Sequence, residues 1–387
     1  MTTVLTTSAL CPPGRPSPGW IGFDQGVIVA LGDGRPPGDI EGSVEDLGDA
    51  IVTPGLIDLQ CNGVGTDDLA TADESGWHRV AMRLARHGTT AYCGTLISAA
   101  LDSYDAPLAI AAKVHATPGA PGAVLLGVHL EGPFLGGEPR AHDPALIRDA
   151  DLPWLRSVLA RHPGLLRIVT LAPEADPGFD ATRLLVGADV VVALGHSRAT
   201  YDEALAAADA GARMVTHLFN GMAPLHHRAP GLAGAALDDD RLTPTIIADG
   251  VHVHPGMLRL VFASTPHVAV VSDGVATRGD VLDRDGAAFR SDGTLAGATT
   301  LLDHSVATLV RAGVALERAI ASVTTEPARL LGLGDRGRLA VGARADIVAF
   351  DAATLAPLAV WVGGVPVSGV PVAGSGGVAS TTRTTPR

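Results

Sequence analysis

Eight short apolar runs rich in β-branched residues recur between about residue 51 and residue 330, alternating with stretches of helical periodicity. The runs are GLIDLQ (Gly55 to Gln60), TTAYCGT (Thr89 to Thr95), AVLLGVHLE (Ala123 to Glu131) and LLRIVTLAPE (Leu165 to Glu174). They continue with DVVVALGH (Asp189 to His196), RMVTHLFN (Arg213 to Asn220), TPTIIADG (Thr243 to Gly250) and HVAVVSDG (His267 to Gly274). Helical stretches between them include Glu74 to His87, Asp102 to His115, Pro144 to Arg161, Asp202 to Ala212 and Pro255 to Ser264. Thr200 and Glu203 stand in capping-box spacing before the fourth of these, where hydroxyl and carboxylate satisfy each other's free backbone donors. Eight β/α alternations predict an α/β fold of the (β/α)8 TIM-like barrel type, with a doubly wound sheet as runner-up. No G-x-G-x-x-G follows the first run, which weighs against the runner-up. With 47% hydrophobic and 18% charged residues, the chain has enough apolar material for such a core.

The flanks differ in character. Residues 1 to about 50 are rich in Gly and Pro, with β-like pieces such as Gly26 to Leu31 and no helical periodicity. Residues 337 to 371 are similar, so both ends are expected to share one small sheet domain. The division expected is residues 1–53 with 341–373 for that domain, 54–340 for the barrel, and a Gly/Ser/Thr-rich flexible tail at 374–387.

Charge excludes some partners. Lys and Arg number 28 against 41 Asp and Glu, a formal net charge of -13, whose field repels nucleic acid and anionic membrane. A small anionic substrate stays possible where a local cluster of donors overrides that sign. No run approaches the roughly 18 apolar residues of a membrane span, and no cation precedes Arg15, as a leader would require. Cys11, Cys61 and Cys93 lack C-x-x-C spacing and cannot all pair, which argues against a disulfide scaffold; the expectation is a soluble, cytoplasmic protein. The single lysine, Lys113, lies within a helical stretch, so no carboxylated lysine can bridge two metals at a strand end.

A barrel carries its chemistry at the carboxyl ends of its strands. The polar residues ending these runs are Gln60, Asn62, Glu131, Glu174, His196, His217, Asp249 and Asp273. Two imidazoles and a carboxylate from Glu131, His196 and His217 suit a divalent transition metal with an open position for water. An apolar strand that delivers Glu131 into a barrel mouth must offset its desolvation with a cation or donors. Asp273, on the last strand, can accept a proton from the attacking water and return it to a leaving nitrogen, although helix capping would also account for an aspartate there.

The segments PGLIDLQCNG, HLEGPF, GHS, THLFNGM, ADGVHVHP, SDG and ADIVAFD, in this order from Ile51 to Phe350, resemble the amidohydrolase superfamily. Within it they are similar to the N-acetylglucosamine-6-phosphate deacetylases. The resemblance implies a (β/α)8 barrel with a small β-sandwich domain formed by both termini. It implies Glu131, His196 and His217 as metal ligands, Asp273 as general base and acid, and His142 as the group that polarises the substrate carbonyl. Asn220, Gly221, Arg228 and His252 would hold the sugar phosphate, and a homodimer would place the loop around Arg228 in its own or the neighbouring site. The implied reaction is hydrolysis of N-acetylglucosamine 6-phosphate to glucosamine 6-phosphate and acetate, in amino-sugar catabolism or recycling.

Most amidohydrolases carry H-x-H after the first strand, where this chain has Gln60 and Asn62. One divalent metal ion per subunit is therefore expected, zinc first, with iron, cobalt or manganese acceptable to the same donors. The loop before His142 is about one residue short, and LHHRAPG around Arg228 departs from the family's wording, which bears on sugar and phosphate specificity. Two other readings stay open: deacetylation of N-acetylgalactosamine 6-phosphate, and a non-catalytic sugar-phosphate-binding protein. His226 and His227 read as a wet loop, Phe219 and Met222 as packing, Cys61 as a small buried hydrophobe, and Glu174 as a lining residue without a role.

Overall fold

Along each central run successive side chains alternate between two apolar environments, which requires a sheet covered on both faces. The computed structural model describes residues 2–11, 16–38, 42–117 and 119–370. In it eight parallel strands form a barrel: β1 (Leu56–Cys61), β2 (Thr89–Ile97), β3 (Val124–Glu131), β4 (Leu166–Leu171), β5 (Val191–Leu194), β6 (Met214–Val215), β7 (Thr243–Ile247) and β8 (Ala269–Val271). Each pairs with the next, and a helix follows every strand, from Glu74–Arg86 after β1 to Leu302–Arg311 after β8.

Ile57, Leu59, Ala91, Cys93, Ile168, Ala193, Met214, Ile247 and Val271 fill the barrel interior. Tyr92, Val128, Leu130, Val169, Leu194 and Val270 face outward onto helix residues such as Trp77, Leu84, Leu108 and Leu155. Helix Thr325–Leu330 covers the amino ends of the strands, with Ala328 and Leu330 in the interior cluster. Arg329 Nη2 donates there to Thr243 Oγ1 at 2.7 Å. The opposite, carboxyl end is left as the open mouth.

The barrel closes between β8 and β1 without a regular ladder. Asp273 N donates to Gln60 O (3.0 Å) and Asn62 N to Gly274 O (2.7 Å). Below them Asp58 Oδ1 accepts the backbone N–H groups of Ser272 (3.1 Å) and Gln60 (3.2 Å). After β8 the chain forms a three-stranded antiparallel ribbon, Leu282–Arg284, Ala287–Phe289 and Leu295–Ala298, anchored where Ala298 N donates to Asp273 O at 3.0 Å.

Both ends of the described chain meet in a second eight-stranded sheet. Its order runs Val365–Pro366, Pro357–Val362, Ile347–Phe350, Ile51–Pro54, Thr2–Leu10, Ser17–Asp24 and Val27–Asp33, with Gly42–Asp46 also paired to Thr2–Leu10. Leu5, Ile21, Phe23, Val52, Ile347 and Trp361 form its own core. The sheet leads into the barrel through Gly55, whose N–H donates to Asp346 O at 2.8 Å. Residues 371–373 of the expected terminal domain and the tail expected at 374–387 lie outside the described residues.

Two local expectations are corrected. The helix expected over Pro144 to Arg161 begins only at Leu152, capped by Asp151 Oδ1 accepting Trp154 N. Pro144–Leu146 is a single turn capped by Asp143, and the chain is extended again at Ile147 (φ -70°, ψ 136°). Two competing caps, each with proline in the first turn behind it, split what periodicity alone reads as one helix. The later strands are also shorter than expected, because β5, β6 and β8 stop before His196, His217 and Asp273. Those residues have φ of 51°, 29° and 47°, the left-handed region that ends a strand and turns its side chain into the mouth.

Candidate active site

Glu131 is the last residue of β3 and is 3% exposed. Its Oε1 lies 3.2 Å from His196 Nε2 and 2.9 Å from His217 Nε2, and the two Nε2 atoms are 3.1 Å apart. Glu131, His196 and His217 are the one metal-competent cluster among the described residues, with ligand atoms within 4.8 Å of one another. The second ring nitrogens decide what the cluster can hold. His196 Nδ1 donates to Glu138 O (2.9 Å) and His217 Nδ1 to Asn220 O (3.1 Å). A carbonyl only accepts, so each neutral ring carries its proton on Nδ1 and turns an Nε2 lone pair toward the carboxylate. Two lone pairs and a carboxylate oxygen then converge with no proton between them, a set of donors that fits a divalent cation.

Electrostatics agree with that fit. Burial opposes the charge on Glu131, yet the imidazoles of His196 and His217 hold its carboxyl well below the usual range. Burial likewise opposes the imidazolium of His217, but Glu131, whose carboxylate would accept the Nε2 proton of the cationic ring, raises its pKa. The cluster attracts positive charge even though it is buried.

His142 is wired in the opposite sense. Ser98 N donates to its Nδ1 at 3.3 Å, and Ser98 Oγ is 2.8 Å from the same nitrogen. Its lone pair is therefore on Nδ1 and its proton on Nε2, which lies 3.9 Å from Glu131 Oε2. Burial, and then the neighbouring His196, push its pKa down to about 3, so the ring stays neutral. Backbone partners thus give three adjacent histidines two roles, two lone pairs and one N–H donor.

Asp273 faces the cluster from just beyond the end of β8. Its Oδ1 accepts Gln60 Nε2 (2.9 Å) and Asn62 Nδ2 (3.0 Å), while Oδ2 accepts no hydrogen bond among the described residues. Burial first and the Glu131 charge second raise its pKa above the ordinary carboxylate value. Such a group can exchange a proton nearer neutrality than an exposed aspartate.

Asn62, Glu131, His142, His196, His217 and Asp273 line a cavity of ≈ 790 Å³. Of the residues expected at the phosphate, Asn220, Gly221 and His252 line it. Gly221 has φ 59°, and a Cβ there would lie 2.8 Å from His196 Nδ1, so glycine lets the loop close over that ring. His252 Nδ1 donates to Asp249 Oδ2 at 2.6 Å, which fixes the ring. Arg228 is exposed and is not among the lining residues; its Nη1 donates to His227 Nε2 at 2.8 Å. Glu174 does not line the cavity either.

Sequence reasoning missed Ser98, the Glu138 carbonyl and Arg290. Three arginines line the cavity: Arg140 pairs with Glu138 (3.2 Å), Arg278 donates to Thr71 Oγ1 (3.0 Å), and Arg290 sits in the turn between the last two ribbon strands, where its backbone bonds Thr294 and Gly293 and its guanidinium makes no hydrogen bond or ion pair among the described residues. Only the polar closing of β2 could have marked Ser98. Backbone carbonyls and ribbon residues carry no signal of that kind.

Comparison with known proteins places this architecture. The family model described as "Amidohydrolase family" matches residues 51–375. The N-acetylglucosamine-6-phosphate deacetylase of Bos taurus is 38% identical over 334 residues, covering 79% of this chain and 81% of its own. The N-acetylgalactosamine-6-phosphate deacetylase of Escherichia coli O157:H7 is 34% identical over 366 residues, covering 89% and 95%. Among solved structures, a variant of the N-acetyl-D-glucosamine-6-phosphate deacetylase of Mycobacterium smegmatis, in complex with N-acetyl-D-glucosamine-6-phosphate, superposes with TM-score 0.85. It is 33% identical and covers 95% of this chain and 99% of that one. With a barrel mouth built around a carboxylate, two lone-pair imidazoles and an opposing aspartate, this chain belongs to the amidohydrolase family and groups within it with the N-acetylglucosamine-6-phosphate deacetylases.

Proposed function

We propose that this chain hydrolyses the acetamide of N-acetylglucosamine 6-phosphate, releasing acetate and glucosamine 6-phosphate. The observation that carries the reading is the opposite wiring of the buried histidines: His196 and His217 offer lone pairs beside Glu131, and His142 offers a proton. A divalent cation held by Glu131, His196 and His217 would supply Lewis acidity to the acetamide carbonyl and lower the pKa of a water molecule. His142 Nε2–H donates to the carbonyl oxygen and favours the charge that grows there as the carbonyl carbon becomes tetrahedral. Asp273 takes a proton from the attacking water at Oδ2, the oxygen not engaged by Gln60 and Asn62, and passes it to the amine nitrogen as the C–N bond breaks.

The anionic end of the substrate lies against Asn220, the Gly221 backbone and His252, with Arg290, whose guanidinium has no partner among the described residues, as a cation of the same cavity. Arg228, exposed beside His226 and His227, serves the neighbouring subunit of a homodimer; Leu225 (41% exposed) and Val251 (41% exposed) are apolar surface for that contact. Zinc suits two imidazoles and a carboxylate, and three cysteines that lack C-x-x-C spacing support a reducing, cytoplasmic site of action. No helix among the described residues is long and apolar enough to cross a membrane.

Acetate release from N-acetylglucosamine 6-phosphate by zinc-loaded protein tests the reading, with the unphosphorylated sugar as control. Release that needs both metal and phosphate supports it, and no release with any divalent metal overturns it. The Escherichia coli relative, which covers more of this chain than the mammalian one does, favours a second reading as a galactosamine-series deacetylase. The same assay with N-acetylgalactosamine 6-phosphate separates the two by kcat/KM.

A further inference from the structure

Glu174 lies outside the cavity, on the one-turn helix Pro173–Ala175 after β4, yet its carboxylate ties together two loops that meet at the cation cluster. Its Oε2 accepts Ser197 Oγ (2.5 Å), and its Oε1 accepts Arg198 N (2.8 Å) and Gly137 N (3.3 Å). Ser197 and Arg198 immediately follow His196, while Gly137 precedes Glu138, whose carbonyl holds the His196 Nδ1 proton. The two loops touch directly as well: Gly136 N donates to His196 O (2.8 Å), and Arg198 Nε to Glu138 Oε1 (2.8 Å). A Cβ at Gly136 would lie 2.0 Å from Glu174 Oε1, so the loop runs as close to this carboxylate as a backbone can.

His196 needs such support. Its φ of 51° is unusual for a residue other than glycine, a conformation that persists only where its surroundings hold it. Its Nε2 lone pair is aimed only while the Glu138 carbonyl stays on Nδ1. We propose that Glu174 is a positioning residue for the metal site: it pins the Gly136–Glu138 loop to the turn after β5 and so fixes both the tautomer and the orientation of His196. This rests on the reading of Glu131, His196 and His217 as cation ligands.

The test compares the parent protein with Glu174→Ala and Glu174→Gln by chelator competition for zinc, by the visible spectrum of the cobalt-loaded protein, and by thermal melting of the metal-free protein. Glu174→Ala should weaken zinc binding about 10- to 100-fold and alter the cobalt spectrum, the range typical of losing a partner that orients a ligand. Melting of the metal-free protein should change little. Glu174→Gln, whose Oε1 can still accept Arg198 N and Gly137 N, should recover most of the affinity. Parent-like zinc affinity in Glu174→Ala overturns the proposal, as does a loss of affinity matched by a lower melting temperature without metal. A parent protein that binds no divalent cation overturns the ligand reading itself, a result the parent arm reveals by itself.

Discussion

Gln60 Nε2 donates at once to Glu131 Oε1 (3.0 Å) and to Asp273 Oδ1 (2.9 Å), so one neutral amide joins the carboxylate of the cation cluster to the carboxylate that faces it. Two buried carboxylates this close repel, which is part of why the Asp273 pKa is raised. The amide limits that rise because it donates to the ionised form. Gln60→Leu should raise the Asp273 pKa further. Because Asp273 must be ionised to accept a proton, the acid limb of kcat/KM should then move to higher pH, and kcat should fall about tenfold or more. A pH–rate profile superimposable on the parent's would show that the amide has no such part.

Asp273→Asn keeps the shape and can still accept at Oδ1, but it cannot carry a proton at Oδ2. Turnover should fall about 10²- to 10⁴-fold while zinc content and melting temperature stay at parent values. Near-normal turnover would remove Asp273 from the mechanism.

Gly221→Ala would place a methyl group 2.8 Å from His196 Nδ1 on a backbone with φ 59°. Either the loop 219–221 retreats, withdrawing the Asn220 carbonyl from His217, or His196 leaves its carbonyl partner. Both outcomes disturb a ligand, so zinc affinity should drop by at least tenfold in equilibrium dialysis. Unchanged zinc affinity would mean that the ring tolerates the methyl group by a shift too small to matter.

Asp58 sits at the barrel seam, fully buried, with Oδ2 lacking any hydrogen bond among the described residues. Burial pushes its pKa up to about 6 against the hydrogen bonds from Ser272 and Gln60. A carboxyl whose folded pKa exceeds its unfolded one contributes stability that is fully present below the unfolded value and is lost as pH rises through the folded value. The window is therefore from the ordinary value of 3.8 up to about 6, worth roughly 3 kcal/mol at roughly 1.4 kcal/mol per unit. The melting temperature of Asp58→Asn relative to the parent should be higher at pH 8 than at pH 4 by a few degrees. A difference that does not vary between those pH values would place the ionised carboxylate in the fold at no cost.

The residues readable in advance were those that close an apolar run with a polar side chain. Glu131, His196, His217 and Asp273 announce themselves because burial at a strand end demands a chemical reason. The alternation of runs fixed the barrel for the same reason, since a strand covered on both faces has few other homes. What stayed hidden depends on loop conformation. The carbonyls of Glu138 and Asn220 set histidine tautomers, yet every residue has a carbonyl. The bridging position of Gln60 was invisible because its two partners come from β3 and the end of β8, brought together only by closure. The Pro144 to Arg161 misreading has a similar source, as periodicity continues across a cap that only the backbone reveals.

Strand Ile51–Pro54 lies between Thr2–Leu10 and Ile347–Phe350 in the sheet built from both ends of the chain. One of its edges therefore has no partner until roughly 300 further residues have been synthesised, about 15–60 s at roughly 5–20 residues per second. During that interval the strand that leads into β1 and Gln60 offers unpaired backbone groups to whatever chain is near. Maturation on the ribosome is thus bound to the order of synthesis: the terminal sheet closes last, and truncation within residues 347–362 would leave a nearly finished barrel with an adhesive rim.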